Sequence, residues 1–254
     1  MTDDTRKAAI RREYEQSHGE WDAGTQAVLD LDPEFLAAYS KLAGVPAKVG
    51  ALPEKVQHFV RLAVAANSTH LYLPPVRGHI RRALAAGATP EEVMEVLECC
   101  ATLGIHSMNI GVPILVEVLE EKGLRDGPAP LDEFQERVKA EFTQTRGYWH
   151  QFWDEMLELD PELFEAYTEF SSVPWKHGTL SPKVKEFVYI AFDTAATHLY
   201  VPGLKLHIEN AIGYGATPQE ILEVMEIASV IGIHAATTAA PILLEEIARF
   251  EASK

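Results

Sequence analysis

Apolar residues recur every three or four positions over most of the chain and nowhere alternate as a half-buried strand would. The pattern predicts helices. After a polar lead-in over 1–10, a helical pattern runs from about Arg11 through Tyr14, Trp21, Val28 and Leu29. Asp32-Pro33-Glu34 then starts a helix carrying Phe35, Leu36 and Tyr39. Asp can accept from the free amides there, and Pro has no N–H to leave unpaired in the first turn. Val45-Pro46 ends this helix. A third opens at Pro53 and carries Val56, Phe59, Val60, Ala63 and Val64. It stops near Thr69-His70-Leu71-Tyr72, where Pro74-Pro75 forces a break. A short helix with His79 follows and ends at Gly87. Thr89-Pro90-Glu91-Glu92 is a capping box. The helix it starts has Val93, Met94, Val96, Leu97 and Cys100 on one face. It continues through Gly104-Ile105-His106 to Leu119, with a kink or restart at Pro113.

The whole order then recurs at a constant shift of 128 residues without a gap. Phe142, Trp149, Met156 and Leu157 follow from Lys139, and Asp160-Pro161-Glu162 starts a helix with Leu163, Phe164 and Tyr167 that Val173-Pro174 ends. Ser181-Pro182 opens the helix of Val184, Phe187, Val188, Ile190 and Ala191. Thr197-His198-Leu199-Tyr200, Pro202-Gly203, His207, Gly215, Thr217-Pro218-Gln219-Glu220, Gly232-Ile233-His234 and Pro241 complete the second copy. Two glycines and two prolines within 123–130 mark a linker. The prediction is an all-α protein of two tandem repeats, 1–122 and 131–254, joined by 123–130. A gapless repeat of this length implies duplication, with the halves packed about a pseudo-twofold axis.

Charge narrows the partners. Among 254 residues, 47% are hydrophobic and the net charge is −16. Phosphate backbones would repel such a surface, which argues against nucleic acid. No run reaches the roughly 18 apolar residues of a membrane span, and the charged stretch Met1 to Arg12 has no apolar signal core. A cytoplasmic location is expected. The only cysteines, Cys99 and Cys100, are neighbours and form neither a Cys-x-x-Cys pair nor a disulfide framework.

The chemistry lies in the histidines. Each copy holds three in register: His70, His79 and His106, then His198, His207 and His234. Duplication preserves core contacts as well as sites, so register alone does not decide between packing and function. The separations of nine and then twenty-seven residues match no compact zinc signature, and no carboxylate follows His70 or His198 at three or four residues. Imidazole suits proton transfer near neutral pH. A carboxylate orienting it is offered in one half alone: Glu186 stands twelve residues before His198, where the first copy has His58 before His70. Tyr72 and Tyr200 are placed to orient a substrate, whereas Trp21, Trp149, Tyr39 and Tyr167 read as packing residues. Arg77, Arg81 and Arg82 near His79, and Lys205 near His207, can supply local charge for an anion.

Gly-Ala-Thr-Pro-Glu-Glu-Val at 87–93, the stretch Glu226 to Ala236 and the preceding histidine together resemble the carboxymuconolactone decarboxylase/AhpD-like superfamily, most strongly over 52–119 and 180–247. The resemblance implies an all-helical fold and assembly into rings, here a homotrimer mimicking a hexamer of single repeats. The peroxidase branch carries Glu, eleven residues, then Cys-x-x-Cys-x-x-x-His. Here those positions fall on Glu186, His198, Val201 and, with two residues inserted, His207; in the first copy they fall on His58, His70, Leu73 and His79. Both redox cysteines are missing, so thiol peroxidase chemistry is not expected. The decarboxylase branch implies acid–base handling of a small carboxylated metabolite without cofactor or metal. On this reading His70, His79, His198 and His207 transfer protons and Glu186 orients its histidine. His106, His234, Tyr72 and Tyr200 line the pocket, and Arg77 and Lys205 meet the substrate's charge. Two rival expectations are a non-catalytic binding or assembly protein on the same helices and a histidine-ligated metal-dependent enzyme.

Overall fold

The computed structural model describes residues 3–18 and 21–254, and among them all regular structure is helical. The first repeat contributes α1 (Asp3–His18), α2 (Ala23–Leu31), α3 (Pro33–Ala43), α4 (Val45–Val49), α5 (Glu54–Ala66), α6 (Val76–Ala85), α7 (Pro90–Ala101) and α8 (His106–Glu121). The second contributes α9 (Glu133–Arg146), α10 (Asp154–Leu159), α11 (Pro161–His177), α12 (Pro182–Thr194), α13 (Val201–Gly213), α14 (Pro218–Ser229) and α15 (Ile233–Ala252). Short 3-10 turns at Thr102–Ile105, Gln151–Trp153 and Val230–Gly232 link neighbouring helices.

The caps expected from sequence set these boundaries. Asp32 accepts from Phe35 N at 3.0 Å and Asp160 from Leu163 N at 3.0 Å. Thr89 with Glu92, and Thr217 with Glu220, close reciprocal capping boxes. Several details differ from the sequence expectation. The polar lead-in is helical from Asp3, with Asp3 and Asp4 in the first turn where the helix dipole favours acids. The pattern predicted as one helix from Arg11 is instead α1 and α2, because Asp22 caps a new start by accepting from Thr25 N at 2.7 Å. Its counterpart likewise begins at Glu133, six residues before Lys139, and stops at Gly147, whose φ is +79°. Val173-Pro174 does not end α11, which runs to His177 because a proline in the last turn removes one hydrogen bond from a 17-residue helix. In the first copy Gly44 stands where the second has Ser172, and it separates α3 from α4. The helix expected to continue through Gly104-Ile105-His106 is interrupted by the 3-10 turn, and Pro113 and Pro241 lie inside α8 and α15.

One core runs through both halves. Phe59, Val60, Leu62 and Ala63 of α5 meet Phe187, Val188, Ile190 and Ala191 of α12, and α7 and α14 flank them with Val96, Cys99, Val224 and Ile227. Full burial of each phenylalanine is worth about 1.5–3 kcal/mol. Two satellite clusters cross between repeats. The α1–α3 layer packs on α15 of the second repeat, and α9–α11 pack on the start of α8 of the first. Gly24 permits the first contact: a Cβ there would stand 2.3 Å from the Thr237 carbonyl oxygen of α15. Two buried glutamates tie the halves reciprocally. Glu223 accepts from Ala51 N and Leu52 N at 2.7 and 3.1 Å, and Glu95 from Thr179 N and Leu180 N at 2.7 and 2.9 Å.

Pro90–Glu121 and Pro218–Ala252 are each long and apolar enough to match a membrane span by length and composition, contrary to the sequence expectation. Each is divided by its 3-10 turn, and 44% and 33% of the apolar windows are buried against the rest of the protein.

Candidate active site

The Thr-His-Leu-Tyr motif is a turn, identical in form in both halves. Leu71 and Leu199 adopt left-handed backbone, with φ of 44° and 49°, a conformation that L residues with a bulky side chain rarely adopt. The turn reverses the chain after α5 and α12 so that Tyr72 N bonds Ala65 O at 2.8 Å and Tyr200 N bonds Asp193 O at 2.9 Å. The leucines face solvent, and the histidine and tyrosine turn toward the other repeat.

Each site is therefore composite. His70 Nε2 lies 2.8 Å from Nδ1 of His234, at the start of α15, and His198 Nε2 lies 2.7 Å from Nδ1 of His106, at the start of α8. Tyr72 stacks on His234 at 4.0 Å and hydrogen-bonds Thr237, while Tyr200 stacks on His106 at 3.8 Å. The Gly-Ile-His of one half thus completes the Thr-His-Leu-Tyr of the other.

Beyond these pairs the halves diverge. The first-half site opens on a cavity of about 690 Å³, walled by α5, α6, the α1–α3 layer and the α14–α15 junction. His58, His79 and His234 line it together with Arg61, Arg81 and Arg82. His58 and His79 stack at 5.9 Å. The second-half site encloses about 20 Å³. Arg146, Tyr148, Tyr167 and Tyr189 border the space that remains, and Tyr189 stands at the position of Arg61. Glu186, fully buried, accepts from Nδ1 of His207 at 2.6 Å, the place where the first half puts His58 against His79.

The first-half imidazoles are held neutral. Burial, and then the charge of Arg61, lowers His58 to about 4 and His79 to about 3; burial and His70 lower His234 to about 4. Their folded values lie below the unfolded value near 6.5, so the unfolded chain binds protons that the folded one refuses. The stability this preserves is complete above about pH 6.5 and is lost as pH falls toward 4, by up to about 1.4 kcal/mol per histidine per pH unit. Glu54, 4.0 Å from His58, is the nearest opposing carboxylate. In the second half, His106 is lowered and Asp193 raised by burial, and their contributions to this slope oppose one another. We expect the melting temperature to fall steeply between pH 6.5 and 4. Replacing His58 with Gln should flatten that slope, as read by thermal denaturation across pH. An unchanged slope would show that the cavity histidines are not its source.

The structure groups the residues read from sequence unevenly. His79, His234 and Tyr72 line the large cavity, whereas His106, His207 and Tyr200 line the closed one. His70 and His198 stand behind them, each bonded to the opposite half's histidine, and line neither cavity. Glu186 pairs with His207, not with His198. Arg77 is exposed and outside the cavity, and Lys205 is exposed beside Glu209, because both project from the outer faces of α6 and α13. The arginines that line the cavity are Arg61, Arg81 and Arg82. Trp21 and Tyr39, read as packing residues, form cavity wall as well. Cys99 and Cys100 are buried and unbridged, and burial pushes the Cys99 thiol up to about 12. Sequence reading missed Arg61, concealed on the apolar α5, and Asp193, which has Ala65 as its counterpart.

The sequence profile described as the Carboxymuconolactone decarboxylase family matches residues 33–105 and 161–246, one match per repeat. No functionally curated protein matches the chain. Among solved structures, a crystal structure from Burkholderia xenovorans LB400 shares 55% identity with a TM-score of 0.93, covering 96% of this chain and 98% of that one. That protein is named, provisionally, a gamma-carboxymuconolactone decarboxylase subunit. On these matches, which span both repeats and the helices that carry both sites, the chain belongs to the carboxymuconolactone decarboxylase family.

Proposed function

We propose that the protein is a decarboxylase of small carboxylated metabolites that works by acid–base chemistry without a cofactor, and that its reaction takes place in the first-half cavity. The observation that carries this reading is the combination of neutral His58, His79 and His234 with the guanidinium groups of Arg61, Arg81 and Arg82 around about 690 Å³. That volume suits a small metabolite. Planar guanidinium groups match carboxylates. The name given to the Burkholderia protein points to a carboxylated lactone as the first compound to try.

Decarboxylation consumes a proton: the C–C bond to the carboxylate breaks, carbon dioxide leaves, and the electron pair passes into a conjugated carbonyl before a proton reaches carbon. A dianionic substrate brings a negative charge beside His79. Its binding raises the imidazole pKa and draws one proton onto His79, which can then deliver it to the carbanion. The second carboxylate stays on Arg61 through both states.

We expect binding of a dicarboxylated lactone to take up about one proton, read by calorimetry in buffers of different ionisation enthalpy. His79→Gln should abolish that uptake and lower kcat by about 10²–10⁴-fold, the usual range for a lost acid–base group, with a smaller change in KM. Unaltered turnover in the variant would remove the proposal. Replacing His207, which is enclosed with Glu186, should leave kcat nearly unchanged.

A further inference from the structure

The second half holds a constellation that the proposed reaction does not use. Asp193, on α12, is fully buried, and neither of its carboxylate oxygens has a hydrogen-bond partner. Leaving such a group unsatisfied is costly, and the chain makes room for it. Gly203 faces it so closely that a Cβ would lie 2.5 Å from Asp193 Oδ2. The first repeat has Ala65 and Pro75 at the equivalent positions, and so lacks the carboxylate. Two imidazoles border Asp193: Oδ1 is 3.7 Å from His106 Nδ1 and 3.9 Å from His198 Nε2.

We propose that His106, Asp193 and His198 bind a divalent transition-metal ion, zinc being the best match to two imidazoles and one carboxylate. The two nitrogens and the oxygen form a triangle of sides 2.7, 3.7 and 3.9 Å, so a point about 2.0 Å from each atom lies within it. Zinc bonds to histidine nitrogen and carboxylate oxygen have lengths of about 2.0–2.2 Å. Both histidines can donate as ligands, because a neutral imidazole can carry its single N–H on the outer nitrogen. His106 also borders the cavity of about 20 Å³, enough for one water to complete the coordination. The ion joins α8 of the first repeat to α12 and the following turn of the second. Its ligands are 87 and 5 residues apart in sequence, which is why no compact motif announces it. At the first-half pair, His70 and His234, Ala65 supplies no third ligand.

The test uses the full-length protein without a histidine tag, stripped with a chelator and titrated with zinc against a chromophoric competitor, then with cobalt(II). The expected result is one ion per chain, a cobalt spectrum with ligand-field bands in the visible, and a higher melting temperature with zinc. Asp193→Asn keeps the shape of the side chain and should weaken zinc binding by about 100-fold or more, as should His198→Gln. His70→Gln should bind zinc as the wild type does. The wild-type cobalt and zinc titrations need no variant, so they stand even where a substitution harms folding. A stripped wild type that takes up no ion, or an Asp193→Asn protein that binds as tightly as wild type, would overturn the proposal. Loss of binding in His70→Gln would do so too. Because these residues lie outside the first-half cavity, turnover there and metal binding here can fail separately.

Discussion

Arg61→Met should leave a more stable protein that no longer holds carboxylated ligands. Arg61 is largely buried on α5, and burial lowers its pKa. Its neighbours Tyr39 and Glu223 favour the charge, Arg82 opposes it, and no described residue hydrogen-bonds or ion-pairs with it. A guanidinium whose charge burial disfavours, and which lines the cavity, can be paired by an anion there. Charge-assisted hydrogen bonds contribute about 1.5–3 kcal/mol each, so losing a bidentate pair should raise the Kd or KM of a carboxylated ligand by about 100-fold or more. Methionine fills much of the same volume without a charge, and removing a charge that burial disfavours should add about 1–3 kcal/mol of stability. Isothermal titration with the ligand and urea denaturation without it measure both effects on one sample. A variant that binds normally would place the anion elsewhere in the cavity. A variant that is less stable would show that Arg61 holds the fold together. Arg61→Lys keeps the charge but not the fork, and should recover only part of the affinity.

Much of the fold is legible in the sequence because it depends on local signals that duplicate with the chain. Asp-Pro-Glu starts, Thr-Pro capping boxes, Gly87 and Gly215, and the helical spacing of Phe59 and Phe187 each act within a few residues. The errors arise where a weaker local signal competes. Proline at 174 reads as a stop and is tolerated in a last turn, while Asp22 restarts a helix that periodicity alone would continue. The site was harder, since its assembly depends on how the repeats cross. Nothing local says that His70 meets His234, 164 residues away, or that Glu186 faces His207 and not His198. The most informative positions are those where duplicated copies disagree. The exchange of His58 for Glu186 was visible in the aligned repeats. The exchanges of Ala65 for Asp193 and Arg61 for Tyr189 were equally visible, but lay on helix faces that read as core. A buried polar residue has meaning only once its neighbours are known, and those neighbours come from the other half.

Those same disagreements explain why one half is open and the other closed, and Arg146 is the residue on which the closure turns. It is 4% exposed, with its guanidinium 4.7 Å from the Trp175 ring and 5.6–5.9 Å from Tyr189, Phe142 and Tyr148. Its hydrogen bonds, to Ser171 O and Tyr148 Oη, are both 3.4 Å long. Burial opposes its charge, and the charges of Tyr148, Tyr189, Tyr167 and the buried Glu186 together outweigh that cost. Truncation leaves Glu186 with His207 and Asn210 alone and empties the space the side chain fills. Arg146→Ala should therefore cost about 3–5 kcal/mol, the loss typical of emptying a large, fully packed buried site, read as a lower urea midpoint at unchanged slope. Adding Glu186→Gln removes the carboxylate that Arg146 faces, so the double variant should recover about 0.5–3 kcal/mol of that loss through the coupling between the two sites. If the two substitutions simply add, the arginine acts as an aromatic-cage filler and Glu186 is balanced by His207 alone. If the recovery appears, an internal charge pair closes the second site. The first half, with Arg61 unpaired and no glutamate at His58, then keeps the cation and leaves the place of the anion to a ligand.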